Sequence, residues 1–327
     1  MISVIQLAEA DDQIGFGHLR ELHALQQSFR KEQAPVSTFV LGARTSAEQS
    51  WANAQWVDSS ETLSRLLSGT RATVSIWSFR RRLDSHLEKL LTDLGEVRVW
   101  ITDQPDEPLA VDVLVVPVIT RNTIAGWQAK MLQGLEYFPL DASYSNDPVG
   151  VGERPHEVLL SLGGSDPSKA TLRLLPDVAG FDSTVVIGPG FVHADEVKSI
   201  AARFGIRHID TPNGLQELLR THRIVVTAGG NTLIEAAASG TPALVAWEDP
   251  HERDQGEAFE RLGAAMVLGQ GNLLDPTLLN QRARALLDDP ALLTAMMTAG
   301  RRAVDGRGAD RIVEAVLRQA RHQQHAC

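Results

Sequence analysis

The sequence is short of most features that would mark an unusual chain. Cysteine occurs once, at Cys327, the last residue, so no disulfide closes within the chain and a reducing, cytoplasmic setting is expected. Excess positive charge is missing: 31 Lys and Arg stand against 41 Asp and Glu, a formal net charge of −10. That balance argues against nucleic acid or an anionic membrane surface as partner, while helix N-termini and a few basic side chains can still hold a phosphate locally. No apolar run approaches the ~20 residues of a membrane-spanning helix, so integral membrane association is not expected. The start, MISVIQLAEADD, has no basic segment and turns acidic by Glu9, which does not fit a secretory signal.

Several chemical signatures are also missing. No D-x-D occurs, so a metal held on a diphosphate by paired aspartates has no basis. There is no Walker loop, no G-x-S-x-G elbow and no H-E-x-x-H. The glycines at 15 and 17 do not make the dinucleotide fingerprint, because the third glycine and the acidic residue after the second strand are lacking. His322, His325 and Cys327 sit in a polar tail that is expected to be disordered rather than to hold a metal. Neither a metal nor a cofactor is expected.

What is present is alternation. Hydrophobic residues make up 43% and charged residues 22% of 327 positions, ordinary for a soluble protein and enough for two domains with a core each. Strand patterns at 3–8, 37–41, 72–76, 97–101 and 111–118 alternate with helical spacing at 19–29, 61–67 and 83–91. The stretch 141–155, DASYSNDPVGVGERP, has no period and reads as a linker. The pattern restarts with strands at 157–161, 183–188, 206–209, 224–228, 243–247 and 265–268, and everything from Pro276 reads helical. Such alternation implies parallel βαβ units. The expected architecture is α/β, two Rossmann-like domains over residues 1–145 and 146–327 with a ligand crevice between them.

Three strand–glycine junctions carry the candidate chemistry. The chain is organised around the third, IVVTAGGNTLIEAAASGTP (Ile224–Pro242): a β-branched strand, a turn at Gly229 and Gly230, and a helix that Asn231 or Thr232 can cap. Free N–H groups and the helix dipole make such a junction an anion site. Thr232 to Glu235 fits a capping box, which would make Glu235 structural; alternatively Glu235 accepts the hydroxyls of a ribose. In LGGSDP (Leu162–Pro167), Ser165 and Asp166 can cap the next helix. The functional reading instead aims the N–H groups of Gly164 and Ser165 at a diphosphate, with Asp166 holding the turn. The first junction, Gly15-Phe-Gly-His18, lets a ligand lie against backbone. His18 at a helix start is expected neutral, which suits a general base, or else it only caps the helix. His251, Asp254 and Gln255 cluster after the strand ending at Trp247.

Together these segments resemble a known family. QIGFGH (Gln13–His18), GLEYFPL (Gly134–Leu140), LLSLGGSDP (Leu159–Pro167), AGGNTLIEAAASGTP (Ala228–Pro242), ERDQ (Glu252–Gln255) and DGRGADRI (Asp305–Ile312) stand in the order found in the UDP-sugar hydrolase of pseudaminic acid biosynthesis. The second half is similar, more distantly, to the peptidoglycan N-acetylglucosaminyltransferase. The resemblance implies the glycosyltransferase-B fold, two Rossmann-like domains facing a central cleft. It implies a nucleotide-sugar substrate, with Gly164, Ser165 and the Gly229, Gly230, Asn231, Thr232 turn near the diphosphate of UDP and Glu235 on the ribose. Asp254 and Gln255 would line the same site, and Gly15, Gly17, Arg20 and Tyr137 the sugar side. His18 would activate water at the anomeric carbon, with no metal. The sugar half departs from the family: Glu9 stands for an arginine, and Ile76-Trp-Ser-Phe-Arg80, followed by Arg81 and Arg82, replaces an Asp-His-Tyr-like segment. Three readings follow: a UDP-sugar hydrolase, a glycosyltransferase with an acceptor hydroxyl in place of water, and a sugar-nucleotide binder without chemistry.

Overall fold

The structure is a computed structural model that describes residues 2–10, 17–42, 53–79, 85–103, 105, 108–119, 126–275 and 277–326. Gly15, in the first glycine turn, and Arg80, Arg81 and Arg82 lie outside the described residues. The chain divides into two compact units, Met1–Ala142 with Gly306–Cys327, and Ser143–Asp305.

The first unit contains β1 (Val4–Glu9), α1 (Gly17–Lys31), β2 (Val36–Leu41), β3 (Ala54–Val57), α2 (Ser60–Leu67), β4 (Ala72–Ser78), α3 (Ser85–Leu94), β5 (Gly95–Ile101), β6 (Val113–Val116) and β7 (Lys130–Gln133). Its seven strands are all parallel, in the order β3-β2-β1-β4-β5-β6-β7. Every residue of β1 and β4 is buried, as expected of central parallel strands covered on both faces. On α1 the spacing Leu19, Leu22, Leu25, Phe29 forms the buried stripe. β3 and β7 escaped the sequence reading. Both are four-residue edge strands, too short for a period, and their place is set by the neighbour that pairs with them.

The second unit contains β8 (His156–Leu160), α4 (Ala170–Leu174), β9 (Ser183–Ile187), α5 (Ala194–Phe204), β10 (Arg207–Asp210), α6 (Gln216–Thr221), β11 (His222–Thr227), α7 (Asn231–Ala238), β12 (Ala243–Trp247), α8 (Pro250–Arg261), β13 (Ala265–Gln270), α9 (Leu278–Leu287) and α10 (Pro290–Ala303). The sheet is again parallel, in the order β10-β9-β8-β11-β12-β13.

The last helix, α11 (Gly308–Ala326), corrects the expectation that residues 146–327 form one domain. Its buried stripe of Ile312, Val313, Val316 and Ala320 belongs to the first unit's core, with Leu22, Leu25, Val97 and Val99. Ser28 on α1 donates to Asp310 Oδ1 at 2.5 Å, and Lys31 Nζ reaches the same oxygen at 3.0 Å. Gly308 is demanded by sterics, because a Cβ there would stand 2.1 Å from the carbonyl oxygen of Phe138.

The segment expected as a linker is partly built into the second unit. Arg154 is buried and its guanidinium donates to the carbonyl oxygens of Val149, Leu219, His222, Ser239 and Gly240 and to Thr241 Oγ1, at 2.8–3.1 Å. Leu219, Ser239 and Gly240 carry carbonyls at the C-terminal ends of α6 and α7 that lack helical partners, so a charged residue in a Gly/Pro-rich stretch caps two helices.

Candidate functional site

In each sheet the strand order reverses at one point, between β1 and β4 and between β8 and β11. Ligands of open α/β sheets bind beyond the carboxyl ends of the strands at such a point.

In the second unit, Ser161 N bonds to Val226 O at 2.9 Å and ties the loop after β8 to the end of β11. Gly163 then takes φ +110°, a left-handed conformation that favours glycine. The turn is braced by Gly188-Pro-Gly190 after β9: Gly190 N donates to Gly164 O at 2.8 Å, and a Cβ on Gly188 would lie 2.5 Å from that same oxygen. Gly164 itself faces open space, and Gly164 and Ser165 are exposed.

Beyond β11, Gly229 has φ +110°, and a Cβ there would meet Glu252 O at 2.6 Å, so the backbone of α8 packs directly on the turn. Gln255 Nε2 donates to the carbonyl oxygens of Gly229, at 2.6 Å, and Gly230, at 3.1 Å. α7 starts at Asn231 with Gly230 as its N-cap and no side-chain cap. This corrects the capping expected of Asn231 or Thr232, and with it the capping box: both are first-turn residues, and Glu235 lies in the second turn, buried. Because no side chain covers this end, the backbone N–H groups of Asn231 and Thr232 have no hydrogen bond among the described residues, and the same holds for Gly164 and Ser165. Four uncommitted donors therefore stand at the carboxyl ends of two adjacent strands.

Asp166 is buried beneath the first turn. Its carboxylate accepts from Ala170 N at 2.8 Å and Thr171 N at 2.9 Å, the first N–H groups of α4, and from His193 Nε2 at 3.0 Å, so it caps the following helix, the structural of its two expected roles. Glu248, after β12, accepts from Ser168 Oγ at 2.9 Å. Burial and the neighbouring Asp166 push its carboxyl up to about 8. Glu252 accepts from Glu248 N at 2.9 Å, and burial raises its carboxyl above the ordinary range.

Glycines 164, 229 and 230, Ser165, Asn231, Thr232 and Gln255 are thus brought to one end of one sheet. Gln255 is occupied in bracing the turn. Asp254 pairs with its neighbour Arg253 at 2.9 Å and is half-buried. Gly188, Gly190, His193 and Glu248 were missed by the sequence reading. The G-P-G triplet was a visible signal; His193 and Glu248 gave none, because the partners that place them, Asp166 and Ser168, lie 27 and 80 residues away.

In the first unit, His18 is the second residue of α1. Its Nδ1 lies 2.8 Å from Ser78 Oγ at the end of β4, and Ser78 Oγ donates to Glu21 Oε2 at 3.1 Å. The helix start was expected to favour the neutral imidazole, and the surroundings act the other way. Burial lowers the proton affinity of His18, but the hydrogen bond and charge of Glu21, with Asp103 and Glu9 behind it, outweigh burial and raise the pKa above 6.5. The partial charge of a helix N-terminus is weaker than three nearby carboxylates. Gly17 begins the same helix and Arg20 is exposed on it. Tyr137 lies in the short 3₁₀ turn Leu135–Tyr137 and packs against the first unit's core, which occupies its ring. Among the described residues no group of three or more His, Cys, Asp or Glu is disposed to hold a metal ion, and no helix is long and apolar enough to cross a membrane.

No protein-family model matches the chain. It is 31% identical to the spore coat polysaccharide biosynthesis protein SpsG of Bacillus subtilis over 205 residues, 60% of this chain and 60% of that protein. It is 27% identical to the UDP-N-acetylglucosamine–N-acetylmuramyl-(pentapeptide) pyrophosphoryl-undecaprenol N-acetylglucosamine transferase of Sorangium cellulosum over 202 residues, 57% of this chain and 49% of that protein. The matches thus span three fifths or less of these relatives. Among solved structures, MurG of Acinetobacter baumannii aligns with a TM-score of 0.64 at 14% identity, over 97% of this chain and 100% of that one. That likeness shows the fold: two parallel-sheet α/β domains of the glycosyltransferase-B kind.

Proposed function

We propose that the protein is a glycosyltransferase that moves a sugar from a UDP-linked donor to an acceptor hydroxyl, in the making of a surface polysaccharide. One observation carries the nucleotide half of this reading: four uncommitted backbone N–H groups, of Gly164, Ser165, Asn231 and Thr232, stand at the reversal point of the second sheet. Donors fixed by rigid turns suit a diphosphate, and as the glycosidic bond breaks they stabilise the charge growing on the leaving UDP. Glu235, buried on the same helix, takes the ribose hydroxyls. The names of the relatives support transfer, since one makes a coat polysaccharide and another transfers N-acetylglucosamine. None of the three is named a hydrolase, which weighs against the hydrolase reading drawn from the order of the six segments.

His18 is the base that takes the proton of the acceptor hydroxyl. This proton transfer needs the neutral imidazole, and the raised pKa moves its onset to higher pH. The diphosphate is held without a metal, since no D-x-D is available to bring one. The test is UDP release from a panel of UDP-linked amino sugars, with and without saccharide acceptors, in EDTA. Release that needs an acceptor and survives EDTA is the expected result. Release at full rate without acceptor would assign the hydrolase, and restoration by Mg²⁺ or Mn²⁺ would overturn the metal-free mechanism. Failure of UDP to bind would remove the nucleotide site altogether.

A further inference from the structure

His18 is tied to the first sheet through a single hydroxyl. β1 and β4 are neighbours at the point where the strand order reverses, and α1 follows β1. His18 and Glu21 stand three positions apart on α1, so they share one face of the helix, and both meet Ser78, the last residue of β4. Ser78 is wholly buried. It lies in Ile76-Trp-Ser-Phe-Arg80, the segment in which the sequence departs from the family it resembles. His18 Nδ1 and Glu21 Oε2 are 3.8 Å apart, too far for a hydrogen bond. The hydroxyl spans that gap, 2.8 Å from Nδ1 and 3.1 Å from Oε2.

The hydrogens in this chain can be assigned by what each group is able to give. A serine hydroxyl has one hydrogen and two lone pairs, and a carboxylate only accepts. Ser78 donates its hydrogen to Glu21, so at Nδ1 it accepts, and the hydrogen of that contact belongs to the ring. The opposite tautomer would turn the hydroxyl onto Nδ1 and leave the buried Glu21 carboxylate facing a lone pair. A neutral ring with its hydrogen on Nδ1 has its lone pair on Nε2. Nε2 makes no hydrogen bond among the described residues. Unlike Nδ1 of His193, it is not sealed in the interior without a partner.

We propose that Ser78 is a positioning residue: through its bond to Glu21 it holds His18 as the Nδ1–H tautomer and leaves Nε2 as the basic atom. The inference rests on His18 as the base proposed above and goes further, naming the nitrogen that works and the groups that select it. In the transfer, the acceptor's O–H bond breaks and its proton goes to Nε2. The acceptor oxygen bonds to the anomeric carbon, and the bond to UDP breaks with its electron pair leaving on the diphosphate. The ring is then an imidazolium whose Nδ1–H still points at Ser78, with the Glu21 charge behind it.

Ring-nitrogen NMR shifts report which nitrogen holds the hydrogen and need no substrate. They are read on the histidine-labelled full chain at the alkaline end of the His18 titration, with His18→Ala to assign the signal. The expected result is Nδ1–H in wild type and a move toward the Nε2–H form in Ser78→Ala. Glu21→Gln should move the same way, because an amide can donate to the hydroxyl as well as accept from it. An Nε2–H ring in wild type, or one tautomer in all three proteins, overturns the inference. A serine that only packed the strand end would leave the tautomer unchanged.

Turnover is then measured on whichever UDP-linked sugar of the panel releases UDP. Ser78→Ala should lower kcat on the order of 10–100-fold, the scale of losing a partner that orients a working histidine, with KM for the donor unchanged. Full kcat in Ser78→Ala beside a loss in His18→Ala overturns the role of Ser78. Full kcat in His18→Ala would overturn the base itself and the positioning with it, and the NMR shifts tell that failure apart from a tautomer that Ser78 never set.

Discussion

At the residue scale, His18 departs most from what its local position suggests. A histidine in the first turn of a helix meets the positive end of the dipole, yet Glu21, one turn on, and Asp103 and Glu9 from the loops and ends of strands raise its proton affinity. His18→Ala should lower kcat by ~10²–10⁴-fold with little change in UDP affinity, because a base acts on the reacting proton and not on the nucleotide. Equal losses in both would assign His18 to positioning. Glu21→Gln removes the largest cause that raises the pKa, so the acid limb of the kcat–pH profile should move to lower pH. An unmoved limb would show that another group sets it.

At the scale of turns and helices, neighbouring glycines have opposite jobs. Gly188→Ala puts a methyl 2.5 Å from the Gly164 carbonyl oxygen. It should cost about 1–3 kcal/mol of stability, since rigid backbone must move. Gly164→Ala has nothing within 4 Å to strike, so its Tm should match wild type while UDP binding weakens. Unchanged UDP affinity in a Gly164→Ala protein would mean that the diphosphate lies elsewhere. Arg154 works on the opposite end of α7 from the site. Replacing it by Leu leaves carbonyls of two helix ends buried without donors, a loss on the order of 3 kcal/mol or more in urea unfolding. Lys should not rescue, because its three donors leave one point and cannot reach six acceptors spread around a planar fork.

At the scale of the molecule, the chain is two parallel sheets, with its last helix returned to the first of them. Ending the chain after Asp305 would uncover Leu25, Phe29, Val97 and Val99 in the first unit. Such a truncation should lose hydrogen-exchange protection across β1, β4 and β5 while β8 and β11 in the second unit stay protected. Uniform protection in both sheets would show that α11 is dispensable to the core it covers.

The alternation of strand and helix, the parallel sheets and the positions of the glycine turns were legible in the residues, because they are local. A fully buried parallel strand is a continuous apolar run, and a turn with φ near +110° needs glycine wherever the chain goes next. The candidate diphosphate site was legible for the same reason: its donors are backbone N–H groups at strand ends. What only the tertiary structure decided are the side-chain partnerships. Ser78 meets His18 across 60 positions, His193 meets Asp166 across 27, and Ser168 meets Glu248 across 80. The order of strands in each sheet sets these meetings, and that order comes from which apolar faces cover one another, not from any period along the chain. The same cause sent α11 back to the first unit and raised the proton affinity of His18: an amphipathic stripe says that a helix will be covered, and only the folded chain says by what.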